Sequence, residues 1–256
     1  MFVQERPAAS YDIADAYHVD MDAFSKVVNN VKVDVAIQPY FDTRDGQPKR
    51  GELLARPNGT ANPAEFFANL DSASQAELIE LLVEASNQLA AQTHTHCSIN
   101  IHNSFIETVE GRGKLLEMLS KAANPLTVEF TETFPMPAID VSNLFMRHIR
   151  EMGHTTALDD FGTGLSGMSL LVDYDFNTVK IDRVLTVDVE NSEKKAKVLA
   201  LIFEMLGVLG KNHVVEGVET KEVFETLSKI GFTTFQGFYF TKPLLVAEYI
   251  SQNQAG

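Results

Sequence analysis

Only one cysteine, Cys97, occurs in 256 residues, so no internal disulfide framework holds this chain, and its thiol content suits a reducing compartment. Positive charge is also scarce: 21 lysines and arginines stand against 35 aspartates and glutamates, a formal net charge of −14. That balance argues against DNA or RNA polymers and anionic membranes as general partners, and an anionic substrate would need local help to bind. Long apolar runs are missing too. The most apolar helical stretch, VLALIFEMLGVL, is interrupted by Glu204 and falls short of the roughly 18 residues of a membrane-spanning segment. The N-terminus, MFVQERPAAS, lacks a basic start followed by an apolar core. The expectation is a soluble, cytoplasmic protein with no membrane insertion. No linker rich in proline, glycine or serine divides the chain, and its 45% apolar residues are enough for one full core.

From about Val31 onward, short apolar segments alternate with longer helical ones. Candidate strands are VDVAIQPY, the segment around GELLAR, CSINI, LTVEFT, TTALDD, TVKID, HVVEG and TTFQGFYF. Eight strands in a strand–helix rhythm predict a single α/β domain of parallel-barrel type. The stretch NLDSASQAELIELLVEASNQLA predicts a helix opened by a capping box at Ser72 and Gln75, and SEKKAKVLALIFEMLGVLG predicts one that ends at Gly210. Residues 1–30 break the rhythm and read as an N-terminal arm with a helix near Met21 to Asn29, leaving 31–256 as the barrel domain.

In such barrels, polar residues at the carboxyl ends of strands converge on one mouth. Here those ends carry Glu52, Asn100, Glu129, Glu132, Asp159, Asp160, Lys180, Asp182, Glu216, Glu219 and Gln236. Gathered carboxylates raise one another's pKa and repel, and divalent cations relieve this. Carboxylate and amide oxygens are the ligand set that Mg²⁺ or Mn²⁺ prefers. Taken singly, each acidic residue is more often a solvated loop residue or a helix cap; the recurrence at successive strand ends points to a site.

Taken in order, QPYFD and ELLAR, SIN, EFTET, DDFGTG, VKIDR, VEGVET and QGFYF resemble the EAL-domain cyclic di-GMP phosphodiesterases over about residues 31–250. The resemblance implies a TIM-barrel-like (β/α)8 fold with an antiparallel first strand, and hydrolysis of cyclic di-GMP to linear pGpG. It implies two ions, Mg²⁺ or Mn²⁺, with Ca²⁺ inhibitory. Their ligands would be Glu52, Asn100, Glu129, Asp159 and Asp160, with Asp159 bridging. Lys180 would stand beside the attacking water, Glu216 act as base or water-mediated ligand, and Gln236 orient the water network. Glu132 would hold the DDFG loop in shape. Arg56, whose planar fork suits phosphate or a guanine edge, Gln38, Leu54 and Asp182 are implied on the substrate side. Family members commonly form homodimers, which places a contact near Gly164. Departures are Leu53 for alanine in the signature, a short segment after Arg56, Leu165 in place of an aromatic, and Val215 for alanine.

Other readings stay open beside this one. Members of the family that lose ligands become silent receptors or interaction modules; here the ligand set is complete. A Mg²⁺ barrel enzyme with a lysine base, such as an enolate-forming lyase, is a third reading, disfavoured by the DDFGTG sequence. The DFG tripeptide has no HRD loop or glycine-rich nucleotide loop to make a kinase, and Gly162 and Gly164 lack the GxGxxG order of a phosphate loop. His94, His96 and Cys97 invite a second metal site but are more often structural. Phe235, Phe238, Tyr239 and Phe240 are more often core, with Phe238 or Tyr239 a candidate base-stacking ring. Lys194, Lys195 and Lys197 read as a solvated helix face.

Overall fold

The computed structural model of the chain describes residues 21–44, 49–132, 135–164 and 167–253. All eight anticipated strands are present: β2 (Val31–Pro39), β4 (Arg50–Pro57), β5 (His96–Asn100), β6 (Leu126–Thr131), β7 (Thr155–Phe161), β8 (Thr178–Ile181), β9 (Asn212–Val215) and β10 (Thr234–Phe235). From β4 to β10 every neighbouring pair is parallel. The first strand is the exception, pairing antiparallel with β4 in a register that sets Gln38 opposite Glu52. Across Tyr40 it continues into β3 (Phe41–Asp42), which pairs antiparallel with β10. One bent strand thus bridges both edges and closes the sheet into a barrel.

Period-two alternation explains which residues face which way. Leu53, Ile99, Val128, Phe130, Leu158, Val179, Val215 and Phe235 are all at most 1% exposed and share one core cluster under the surrounding helices. Their neighbours Glu52, Asn100, Glu129, Asp159, Lys180, Glu216 and Gln236 therefore point the other way, toward the barrel axis and its mouth. The same burial that fixes the register also aims the polar set, because a one-residue slip would put every charge into the helix layer.

Three anticipated local features change. The helix expected near Met21 to Asn29 is a single 3₁₀ turn, Met21–Phe24, followed by β1 (Ser25–Val28), which pairs antiparallel with β2. Asn29 and Asn30 both have positive φ, 47° and 63°, the two-residue hairpin turn that asparagine tolerates. Residues 1–20 of the expected arm lie outside the described residues. The long helix α2 (Ser72–Thr93) is capped by Asp71, whose side chain accepts from Ser74 N at 2.8 Å, and not by Ser72; the Gln75 amide instead donates to Leu70 O. The last predicted strand ends at Phe235, after which the chain crosses Val218 through Val218 N–Gln236 O and Tyr239 N–Val218 O hydrogen bonds. Helix α7 (Glu193–Val208) does end as anticipated, with Gly210 at φ 63°. No helix among the described residues is long and apolar enough to cross a membrane.

Candidate active site

At the carboxyl ends of the strands, Lys180 Nζ is surrounded by four carboxylates. It lies 2.8 Å from Glu129 Oε2, Asp159 Oδ1 and Glu216 Oε1, and 3.0 Å from Glu52 Oε2. The lysine is 1% exposed. Amides complete the floor: Asn100 Nδ2 donates to Glu52 Oε1 at 2.6 Å, and Gln236 Nε2 donates to Glu52 Oε2 at 2.9 Å and to Gln38 Oε1 at 3.2 Å. Oxygen coordination by Asn100 would need its amide turned about χ2.

The two aspartates reach this mouth together by a local break in the strand. Consecutive residues of extended backbone point apart, but the β7–β8 pairing shifts register between Leu158 and Phe161, and Asp160 takes a left-handed φ of 58°. Asp160 Oδ2 accepts from Thr131 Oγ1 at 3.0 Å. One carboxylate oxygen from each of Glu52, Glu129 and Asp159 lies within 4.8 Å of the others, and the same holds for Asp159, Asp160 and Glu216. Asp159 belongs to both triads.

Below the turn, Glu132 Oε2 accepts from Gly162 N at 2.7 Å, and Glu132 N donates to Asp159 O. A Cβ at Gly164 would stand 2.8 Å from Glu132 Oε1, so the glycine lets the loop close on this buried carboxylate. Gly162 has φ 109°, and a side chain there would strike Leu185.

Charge is out of balance here. Burial works against the Lys180 charge, yet Asp159, Glu129, Glu216 and Glu52 outweigh it and hold the pKa well above the usual lysine value. Burial lifts Glu129 to about 8, against the pull of Lys180 and with added repulsion from Glu52 and Asp159. Burial likewise raises Asp159 to about 6 and pushes Glu216 well above the usual range. Glu52 goes the other way: burial opposes its charge, but Lys180 and the Gln236 and Asn100 donors lower it overall. Glu52, Glu129, Asp159, Asp160 and Glu216 against Lys180 leave four negative charges when ionised, the charge of two divalent cations. The all-oxygen donor set fits such ions.

Two cavities flank the cluster. One, of about 290 Å³, is lined by Gln38, Glu52, Asp182, Glu216, Gln236 and Phe238 among others; the second, of about 320 Å³, lies beside Leu54, Arg56, Asn100, His102 and Thr131 over an apolar wall that includes Phe67 and Leu70.

Residues 21–243 match the EAL domain family. The chain is an EAL-domain protein. Among relatives of this EAL domain, the probable cyclic di-GMP phosphodiesterase PdeG of Escherichia coli is 29% identical over 88% of the chain and 47% of its own length. The cyclic di-GMP phosphodiesterase RocR of Pseudomonas aeruginosa is 30% identical over 85% of the chain and 59% of its own. Solved structures of Klebsiella pneumoniae BlrP1 with cyclic di-GMP and calcium or manganese are 28% and 27% identical, each with a TM-score of 0.74. They align with 84% and 87% of this chain and 56% and 58% of that one. The chain spans only 27% to 59% of the length of the curated relatives it matches.

Within the EAL domain, most anticipated site residues converge. Arg56 is exposed at the end of β4 and makes no ion pair among the described residues, although it borders the second cavity. Asp182 spends Oδ1 on capping a short helix, accepting from Val184 N at 2.7 Å, while lining the first cavity. The residue Leu165 lies outside the described residues. His94 is the left-handed C-cap of α2 at φ 55°, and neither it, His96 nor Cys97 joins a possible metal cluster among the described residues. Phe235 is core, whereas Phe238 is 56% exposed at the first cavity. Sequence reading passed over Tyr40, whose hydroxyl donates to Glu129 Oε1 at 3.1 Å, and Thr131. Each stands two residues beyond a site residue, Gln38 and Glu129, so strand alternation already placed both on the inner face.

Proposed function

We propose that this chain hydrolyses cyclic di-GMP to linear pGpG in the cytoplasm, as part of bacterial second-messenger signalling, using two Mg²⁺ or Mn²⁺ ions. One observation carries the reading: two carboxylate triads share Asp159, and their surplus of charge matches two divalent cations. Glu52, Asn100, Glu129, Asp159 and Asp160 are the ligands in this reading. When bound, such ions would lower the pKa of water at the site and stabilise the charge that develops in phosphodiester cleavage.

The remaining groups have roles that follow from their positions. Lys180, kept as an ammonium by its carboxylate ring, orients the attacking water and offsets negative charge. Glu216, with its raised pKa and place at the edge of the second triad, holds the proton that the water gives up. Gln236, tied to Glu52 and Gln38, fixes the water network. Glu132 keeps the Asp159–Asp160 turn in its working shape through Gly162 N. The flanking cavities receive the two halves of the dinucleotide: Gln38 and Asp182 on one side, Leu54 and Arg56 on the other.

The test is to incubate purified protein with cyclic di-GMP and Mg²⁺ or Mn²⁺ and to separate the nucleotides. Formation of pGpG is expected. Tight binding without pGpG would instead make the chain a catalytically silent receptor or interaction module.

A further inference from the structure

A third cavity lies at the opposite end of the barrel, where β4, β9 and β10 begin. It has a volume of about 280 Å³ and is lined by Arg44, Arg50, Lys211, His213, Glu204 and Phe203, with Asn212, Thr233 and Thr234 at its wall. Three cations converge there in a chain of net charge −14. Among the described residues, the acids that answer them are Asp42, beneath the arginines, Glu204 at the rim, and Asp175 near Lys211.

The donors at this floor are built in. Asp42 accepts from Arg44 Nε at 2.9 Å and Arg44 Nη2 at 2.6 Å, which fixes that guanidinium plane, and from Arg50 Nη2 at 2.8 Å, which tethers the second. Arg50 commits only Nη2 to a partner among the described residues, leaving most of its fork to the cavity. Lys211 is anchored by the Tyr174 and Phe176 carbonyls at 3.1 and 3.0 Å, with a third donor remaining. His213 Nε2 accepts from Thr233 N at 3.0 Å, so the neutral ring carries its proton on Nδ1, a further donor. Burial and the two arginines hold that ring neutral, at a pKa of about 4. The volume falls just below the roughly 300–1,000 Å³ of pockets for drug-sized ligands, which favours a small occupant.

We propose that this floor cavity binds a phosphoryl dianion on Arg50, Lys211 and His213, beside the Arg44 charge, either free phosphate or pyrophosphate or the phosphate of a mononucleotide. The open edge of the Arg50 guanidinium matches phosphate oxygens, and the anchored lysine adds a point charge. The site is separate from the carboxylate mouth, which repels anions in the absence of metal.

Isothermal titration of EDTA-treated protein with pyrophosphate, inorganic phosphate and guanosine monophosphate tests this. Saturable one-site binding that weakens as salt rises is expected. Arg50→Gln should weaken it about tenfold, the loss of one charge-assisted hydrogen bond. Glu204→Gln, an exposed change that does not threaten the fold, should tighten it severalfold. Tighter binding of guanosine monophosphate than of phosphate assigns the source to a nucleotide, and equal affinity assigns it to the free anion. Absence of saturable binding in both the native protein and Glu204→Gln, or affinity unmoved by either substitution, would overturn the proposal.

Discussion

Lys180 and Asp42 sit at opposite ends of the same barrel, each paired directly with charges of the opposite sign. Lys180 is buried under four carboxylates, and Asp42, 5% exposed, is held by Arg44 and Arg50. The outcomes are opposite. Asp42 is pulled well below the usual carboxylate range, chiefly by its Arg44 hydrogen bond, because its partners reach water and shed their surplus charge there. Around Lys180 the surplus is enclosed, so Glu129, Asp159 and Glu216 are all driven up. Asp42 is satisfied by its protein partners, while the carboxylates of the mouth keep a surplus of charge that divalent cations would balance.

The sharpest way to break that comparison is to remove a charge from the mouth. Glu52→Ala or Asp159→Asn should lower hydrolysis by about 10³-fold or more while circular dichroism shows the fold unchanged; activity near the native level in either variant would refute the metal assignment. Glu132→Ala leaves all ligands in place but frees the Gly162 amide, and should cost about 10–100-fold in kcat, as loss of a ligand-orienting contact does.

Next come the ions and pH. For the metal-free protein, Glu129 has its folded pKa raised from an ordinary 4.5 to about 8, so the native state holds its proton where the unfolded chain has lost it. Stability from this group is therefore lost as pH climbs from about 4.5 to 8, and urea midpoints with EDTA should fall across that window. Mn²⁺ or Mg²⁺ should reverse the trend at pH 8 and raise the melting temperature. Ca²⁺ should raise it too while supporting little turnover. Asp42 contributes with the opposite sign: its stabilisation is present above its ordinary pKa of 3.8 and lost as pH falls below it. Asp42→Asn is the smallest perturbation of activity expected, within about twofold, with stability lowered by about 2 kcal/mol because its arginine partners are half-exposed and can be resolvated. Loss of hydrolysis there would show that the two ends are not independent.

Much of this was legible in the sequence for a simple reason. Residues such as Glu129 and Lys180 sit next to fully apolar ones, Val128, Phe130, Val179 and Ile181, and strand alternation turns that adjacency into a direction. What stayed hidden depended on backbone conformations that composition does not encode. Asn29 and Asn30 turn a presumed helix into a hairpin, and the bulge at Asp160 brings two adjacent carboxylates to one side. The floor cavity was hidden for another reason: Lys211 and His213 lie far along the chain from Arg44 and Arg50, none belongs to a motif, and barrel closure brings the two groups together.

The left-handed aspartate has a further consequence, for evolution under heat. An L-residue with a side chain at φ 58° costs about 1 kcal/mol relative to glycine, although aspartate bears it better than most. Selection for thermal tolerance alone would drift position 160 toward glycine, and Asp160→Gly should melt higher than the native chain while losing hydrolysis. The aspartate at this position thus places a carboxylate at the mouth at the expense of backbone stability.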